Sequence, residues 1–102
     1  MNTPTFLSHY RKTIESLYDL LENADNLDVD EDGSDLRIIT PKQTILITPH
    51  TPTQQLWLSS TTSGAHHFTW DNQQWVNTRH RAQTLTQCLT QELDGLLDGV
   101  AL

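Results

Sequence analysis

Sulfur chemistry is almost absent from this chain: Cys88 is its single cysteine, beside one methionine. An internal disulfide is therefore excluded, and a structural zinc site would lack its usual thiolates. That suits a reducing compartment. Glycine and proline are scarce too, four of each in 102 residues. No linker, internal repeat or low-complexity tract is visible, so residues 1–102 are expected to form one domain. No apolar run approaches the ~20 residues of a membrane span. No charged-then-apolar signal or Arg-rich, acid-poor leader is seen near the N-terminus. The expected location is the cytoplasm, with no membrane partner. Basic side chains are also few, six Lys and Arg against thirteen Asp and Glu. Nucleic-acid binding relies on cations at phosphates, so no nucleic acid is expected as a partner.

What is present is carboxylate, and most of it lies in one place. Glu15, Asp19, Glu22, Asp25, Asp28, Asp30, Glu31, Asp32 and Asp35 fall within 21 residues that hold no Lys or Arg. A field that localised attracts hard cations and basic surfaces, and it costs stability by self-repulsion. A solvated acidic face is the bland explanation for such a run. The absence of any compensating base in the segment argues against it.

Hydrophobic spacing organises the rest. Phe6, Tyr10, Ile14, Leu17 and Leu21 recur at three and four, one stripe of an amphipathic helix from about Thr5 to Asn23 or Ala24. Pro4 suits its first turn, with Thr3 as the cap. Glu15, Asp19 and Glu22 share a second, outward stripe. Short β-branched or alternating segments follow: Leu27–Val29, Leu36–Ile39, Thr44–Ile47, Gln54–Ser59, Ala65–Trp70 and Gln74–Asn77. The prolines at 41, 49 and 52 punctuate them, and Asp71-Asn72 suits a tight hairpin turn. Thr84-x-x-Gln87 is a capping-box pattern. Behind it Leu85, Leu89, Leu93, Leu96 or Leu97, and Val100 predict a second helix, about Thr84 to Leu97. The expected architecture is α+β: a two-layer α-β sandwich, an antiparallel sheet of about six strands with the two terminal helices on one face.

Strand alternation then sorts side chains. Leu56, Leu58, Phe68 and Trp70 should face the helices. Gln55, Trp57, Ser59, His67 and Thr69 should face solvent. An outward Trp among polar residues suits an interaction surface. Trp75 and Val76 compete for the inner face, and alternation leaves them unplaced.

Several chemistries fail on their motifs. Asp28-x-Asp30-x-Asp32-Gly33 begins like an EF-hand, but its twelfth position is Ile39 and a strand follows. The five histidines show no i,i+4 pair of a zincin. Weak metal binding at His67 or His66 stays open. There is no strand-to-helix nucleophile elbow and no phosphate loop. Cys88 sits between Leu85 and Leu89, where burial is expected rather than reactivity. No catalytic residues are expected, and the protein is read as no enzyme. Exposed carboxylates at helical spacing cannot close a cage. A metal there would be shallow, hydrated and weakly held, with little selectivity among Fe²⁺, Fe³⁺, Ca²⁺ and Mn²⁺.

The chain resembles the frataxin family, in its bacterial form. The resemblance rests on Thr51-Pro52-x-x-Gln55-Leu56-Trp57-Leu58-Ser59-Ser60, on Ser63-Gly64, Phe68-x-Trp70 and Trp75-Val76, and on Leu85-x-x-x-Leu89-x-x-Glu92-Leu93. Thr13-Ile14-Glu15-Ser16-Leu17 with Asp19 and Glu22 is similar to that family's first helix. The pattern departs at Thr48-Pro49-His50, and at His67, where a basic residue is common. The resemblance implies the same sandwich. It also implies an iron-binding acidic ridge and a role in iron–sulfur cluster assembly through a cysteine desulfurase and a scaffold protein. Carried onto matching positions, the metal residues are Glu15, Asp19, Glu22, Asp25, Asp28, Asp30 and Glu31, and the partner-facing residues are Gln55, Trp57 and His67. Iron would be weakly bound, with other divalent cations able to replace it. A monomer is expected, with iron-driven oligomers as the open alternative. Two rivals remain: a ferroxidase that stores iron, which would need a buried carboxylate–His site although no Glu-x-x-His occurs, and a metal-independent acidic interaction domain.

Overall fold

A computed structural model describes residues 1–97 and 100–102. Helix α1 spans Thr3–Leu21 and carries Phe6, Tyr10, Ile14, Leu17 and Leu21 on its buried face, as the spacing predicts. Strands β1 (Asp28–Asp32), β2 (Asp35–Ile39), β3 (Thr44–His50), β4 (Gln55–Ser60), β5 (Gly64–Asp71) and β6 (Gln74–Asn77) follow, and α2 (Leu85–Glu92) closes the chain order. The six strands lie in sequence order, each antiparallel to the next. Short connections allow nothing else so cheaply, because antiparallel neighbours need only a tight turn.

Leu36, Ile38, Ile45, Ile47, Leu56, Leu58 and Phe68 point to one face of the sheet and are fully buried there. They form a single core with the α1 stripe and with Leu85, Cys88, Leu89 and Leu93 around α2. Both helices therefore cover the same face, the α+β two-layer sandwich expected. Trp75 belongs to this core: its indole meets Phe6 edge-on at 6.0 Å, and its Nε1 donates to Thr13 Oγ1 at 2.9 Å. Val76 is buried on the other face, where the backbone of Thr84 bridges to it.

Strand ends shift by a residue or more, with β1 at Asp28–Asp32 rather than Leu27–Val29, and five further differences follow. The α1 cap is Asn2 rather than Thr3: Asn2 Oδ1 accepts from the Thr5 N–H at 2.9 Å. The helix ends at Leu21, earlier than expected, with Glu22 at its C-terminal cap. β3 runs through Pro49 to His50, because β2 stops pairing at Ile47 and a proline is tolerated on the edge that remains. The β5–β6 turn uses Asn72 and Gln73, both left-handed, rather than Asp71-Asn72. α2 stops at Glu92 rather than Leu97, and Gly95 turns the chain with φ +81°. Leu96, Leu97 and Val100 still pack partly buried on the core, so their spacing mimicked a longer helix.

Candidate functional site

The acidic residues lie on two elements that pack together. β1 is the outermost strand, and α1 packs beside it. Glu15, Asp19 and Glu22 are exposed along α1, and Asp25 is exposed in the link to β1. Asp28 and Asp30 lie opposite Ile39 and Arg37, which the pleat puts on the open face of the sheet. Glu31 lies opposite buried Leu36 and so faces the helix layer. There it lines a groove of about 160 Å³ with Glu15, Tyr10 and Arg11. Of the seven carboxylates, Glu15 and Glu31 thus share one groove, while Asp28 and Asp30 face the opposite side of the sheet.

Strand pairing also brings in a base from just outside the acidic segment. Arg37 faces Asp30 across the β1–β2 ladder, Nη1 to Oδ2 at 3.8 Å, with the side chains 45% and 63% exposed. Such a long, wet pair contributes little, but Asp30 is not an uncompensated acid. The local field is visible on Tyr10. Its hydroxyl donates to the Ser34 carbonyl at 2.5 Å and lies 3.3 Å from that of Ile47. Burial, then the charges of Asp35 and Glu31, push its phenol well above the ordinary range. Among the described residues no three His, Cys, Asp or Glu side chains converge closely enough to cage a metal. The edge can offer a cation one or two hard oxygens at a time, with water completing its shell.

Across the open face of the sheet, Trp57 pairs with His67 on β5, and Gln55 with His50 on β3. The result is a three-ring stack. His50 lies 3.7 Å from Trp57 and His67 lies 4.3 Å from its other side, with ring planes within 10°. Trp57 Nε1 donates to Gln55 Oε1 at 2.9 Å. Trp57 is half-buried between imidazoles rather than standing free, as alternation alone had suggested. Sequence reasoning put Gln55, Trp57 and His67 together and missed His50. Extending the Thr44–Ile47 strand by its own period of two would have placed it.

The other histidines and the thiol separate from these sites. His9 stacks on Trp70 at 4.3 Å, on the helix side. Cys88 is buried, and burial followed by the Glu92 charge pushes its thiol up to about 11, so it is no nucleophile. Asp28, Asp30 and Asp32 lie along a hairpin strand, which settles the EF-hand pattern as a coincidence of spacing.

A family model described as a frataxin-like domain matches residues 1–99. A frataxin from Psychromonas ingrahamii, studied as a model of stability within the CyaY protein family, superposes with a TM-score of 0.83 at 21% identity, over 91% of this chain and 89% of that one. Yeast frataxin gives 0.74 at 25% identity, over 94% and 83%. A trimeric frataxin from the yeast Saccharomyces cerevisiae, complexed with ferrous iron, gives 0.65 at 26% identity, over 96% and 87%.

Proposed function

The chain belongs to the frataxin-like domain family, and from that premise we propose that it is a non-enzymatic iron-binding protein of iron–sulfur cluster assembly. Iron is its cargo, held weakly by Glu15, Asp19, Glu22, Asp25, Asp28, Asp30 and Glu31. The same edge docks on a basic patch of a cysteine desulfurase. Gln55, Trp57 and His67 present the open sheet face to the scaffold protein. The observation that carries this reading is the meeting of the α1 acidic stripe with the edge strand β1, where Glu15 and Glu31 share one groove. Hard oxygen donors suit Fe²⁺ and Fe³⁺, and partial coordination leaves the metal exchangeable. The ferrous complex of the yeast relative supports the same cargo.

Chemistry follows from exposure. A cation held by one or two carboxylates keeps most of its water, so it binds and leaves quickly. A desulfurase that needs the same carboxylates competes with it directly. The physical consequence is iron-sensitive docking, with electrostatics governing the association rate and its salt dependence. Iron that bridges two edges would also drive oligomers from a monomer, and trimers are known in the yeast relative.

The test is an anaerobic, residue-resolved NMR titration with Fe²⁺, then with a cysteine desulfurase. Both ligands are expected to perturb the α1–β1 edge, and pre-loaded iron should weaken the desulfurase. If iron leaves that edge untouched, the metal part of the proposal is lost and an acidic docking domain remains. Stopped-flow oxidation of Fe²⁺ well above the buffer rate would instead favour a ferroxidase.

A further inference from the structure

Across the sheet from the acidic edge, where β5 runs past the end of β6, a cleft of about 540 Å³ is lined by Ser63, His66, His67, Thr78, Arg79 and His80, with Asn77 and Gln83 at its floor. One guanidinium and three imidazoles meet there, and no carboxylate lines it. Arg79 makes no ion pair among the described residues. In a chain with a net charge of −7, that is an unusual local balance.

The cleft is built rather than loose. Asn77 is 4% exposed and organises its wall. Its Oδ1 accepts from the N–H groups of Arg79 and His80, at 2.8 and 3.2 Å, and its Nδ2 donates to Gln83 Oε1 at 2.8 Å. The Thr78 N–H donates to the His67 carbonyl at 2.9 Å, which pins the segment to β5. With the backbone donors at 79 and 80 used internally, the groups left for a ligand are side chains. On the other wall the Ser63 hydroxyl donates to the Glu92 carboxylate and lies 2.8 Å from His66 Nε2. A hydroxyl has one proton, so His66 Nε2 must donate to it.

We propose that this cleft binds a small multivalent oxyanion, of the phosphate or polycarboxylate class, and does so most tightly when its imidazoles are protonated. Arg79 supplies the permanent charge and a planar fork for two oxygens. Imidazoles add charge as pH falls, and the Thr78 hydroxyl adds a neutral donor. The charged and titratable groups facing the cleft are His66, His67, His80 and Arg79. His50 faces His67 through Trp57, and Glu92 lies beside the cleft, in an adjoining pocket with Ser63, His66 and Gln83, where it accepts from Ser63. Arg81 is engaged with Asp71 at 2.8 Å. His67 is held below its ordinary value by burial first, then by Arg79, His50 and His66. These are positive neighbours that a bound anion would neutralise. The acidic edge does not cancel the site. Four strand spacings separate β1 from β5, about 19 Å, against a screening length of ~8 Å at physiological ionic strength.

The experiment is calorimetry and NMR with inorganic pyrophosphate, orthophosphate and citrate, in metal-free buffer at fixed ionic strength, at about pH 6 and about pH 8. Pyrophosphate is expected to bind at least about tenfold tighter at the lower pH, with shifts confined to His66, His67 and residues 78–80. Citrate matching pyrophosphate would mark a polycarboxylate site, and citrate failing would mark a phosphate site. Arg79→Gln should weaken binding at both pH values, and His80→Asn should flatten the pH dependence. Both residues are exposed, so folding is retained, and thermal melts check it. Non-saturable binding, affinity independent of pH, or shifts spread over Arg11, Lys12, Arg37 and Lys42 would overturn the proposal, as would a signal that requires added Zn²⁺ or Cu²⁺.

Discussion

Glu15 and Glu31 on the α1–β1 edge, and Glu92 at the end of α2, are the same chemistry put to opposite uses. The edge carboxylates are exposed, and Arg37 is the one base within ion-pair range of them among the described residues. Glu92 is half-buried and enclosed. Its carboxylate accepts from Ser60 at 3.2 Å, Thr62 at 3.1 Å and from Ser63, while its carbonyl accepts from the Gln43 side chain. A carboxylate with its lone pairs already taken is a structural tie between a helix and two turns. One with its lone pairs in water keeps them for an outside cation, at the cost of repulsion from its neighbours. Location in the fold, more than residue type, decides which acids can bind.

The largest effect that could break this contrast is on association. Replacing Asp19, Glu22, Asp28 and Asp30 with their amides should slow binding to a basic partner at low salt by roughly 100-fold. Melting temperature should rise, because repulsion falls. Glu92→Gln should do the reverse: association unchanged, and stability lower by about 1–2 kcal/mol as donors lose a charged acceptor. Stopped-flow association and thermal melts separate the two. If Glu92→Gln slows association as much as the edge variant does, the division between tie and binding edge fails.

Next in size is the organiser of the opposite end. Asn77→Ala removes the acceptor of two N–H groups and the donor to Gln83. It should cost about 2–3 kcal/mol in urea unfolding, since each buried donor left unmade costs about 1–3 kcal/mol. Hydrogen exchange should accelerate at residues 78–83 and not along β1. Tyr10→Phe is the counterpart at the acidic edge. It loses the hydroxyl contacts to Ser34 and Ile47 and should cost about 1 kcal/mol, with faster exchange in the β1–β2 turn and none at the far cleft.

How much of this contrast was legible in the amino-acid order depends on whether one face or two were buried. α1 was plain because its apolar stripe repeats at helical spacing and its other faces are wet. The Leu56/Leu58 and Trp57 split was plain for the same reason, one dry face and one open one. Trp75 and Val76 defeated alternation because both are buried, Trp75 under α1 and Val76 under the chain leading to α2. His50 was hidden by Pro49, which reads as a stop but sits where β3 has lost one neighbour. Arg37 was visible as a base near the acidic segment, but only the hairpin shows that it meets Asp30, by bringing residues 30 and 37 face to face. The cleft at 63–80 was least visible of all: its lining comes from two strands and a loop, and single histidines carry no spacing signal.

The smallest expected effect sharpens the comparison at its most delicate point. His67 has its folded value lowered from the usual 6.5, by burial first and then by Arg79, His50 and His66. The unfolded chain therefore binds this proton more readily than the folded one. As pH falls from above 6.5 towards the lowered folded value, the protein should lose stability at this residue; below the folded value the loss is complete. His67→Asn should remove part of the decline in melting temperature between about pH 7 and pH 5, and leave the melt near pH 8 almost unchanged. Saturating pyrophosphate should do the same for the unmodified protein, by replacing positive neighbours with a bound negative one. If His67→Asn shifts the melt equally at both ends of that range, the imidazole contributes only packing against Trp57.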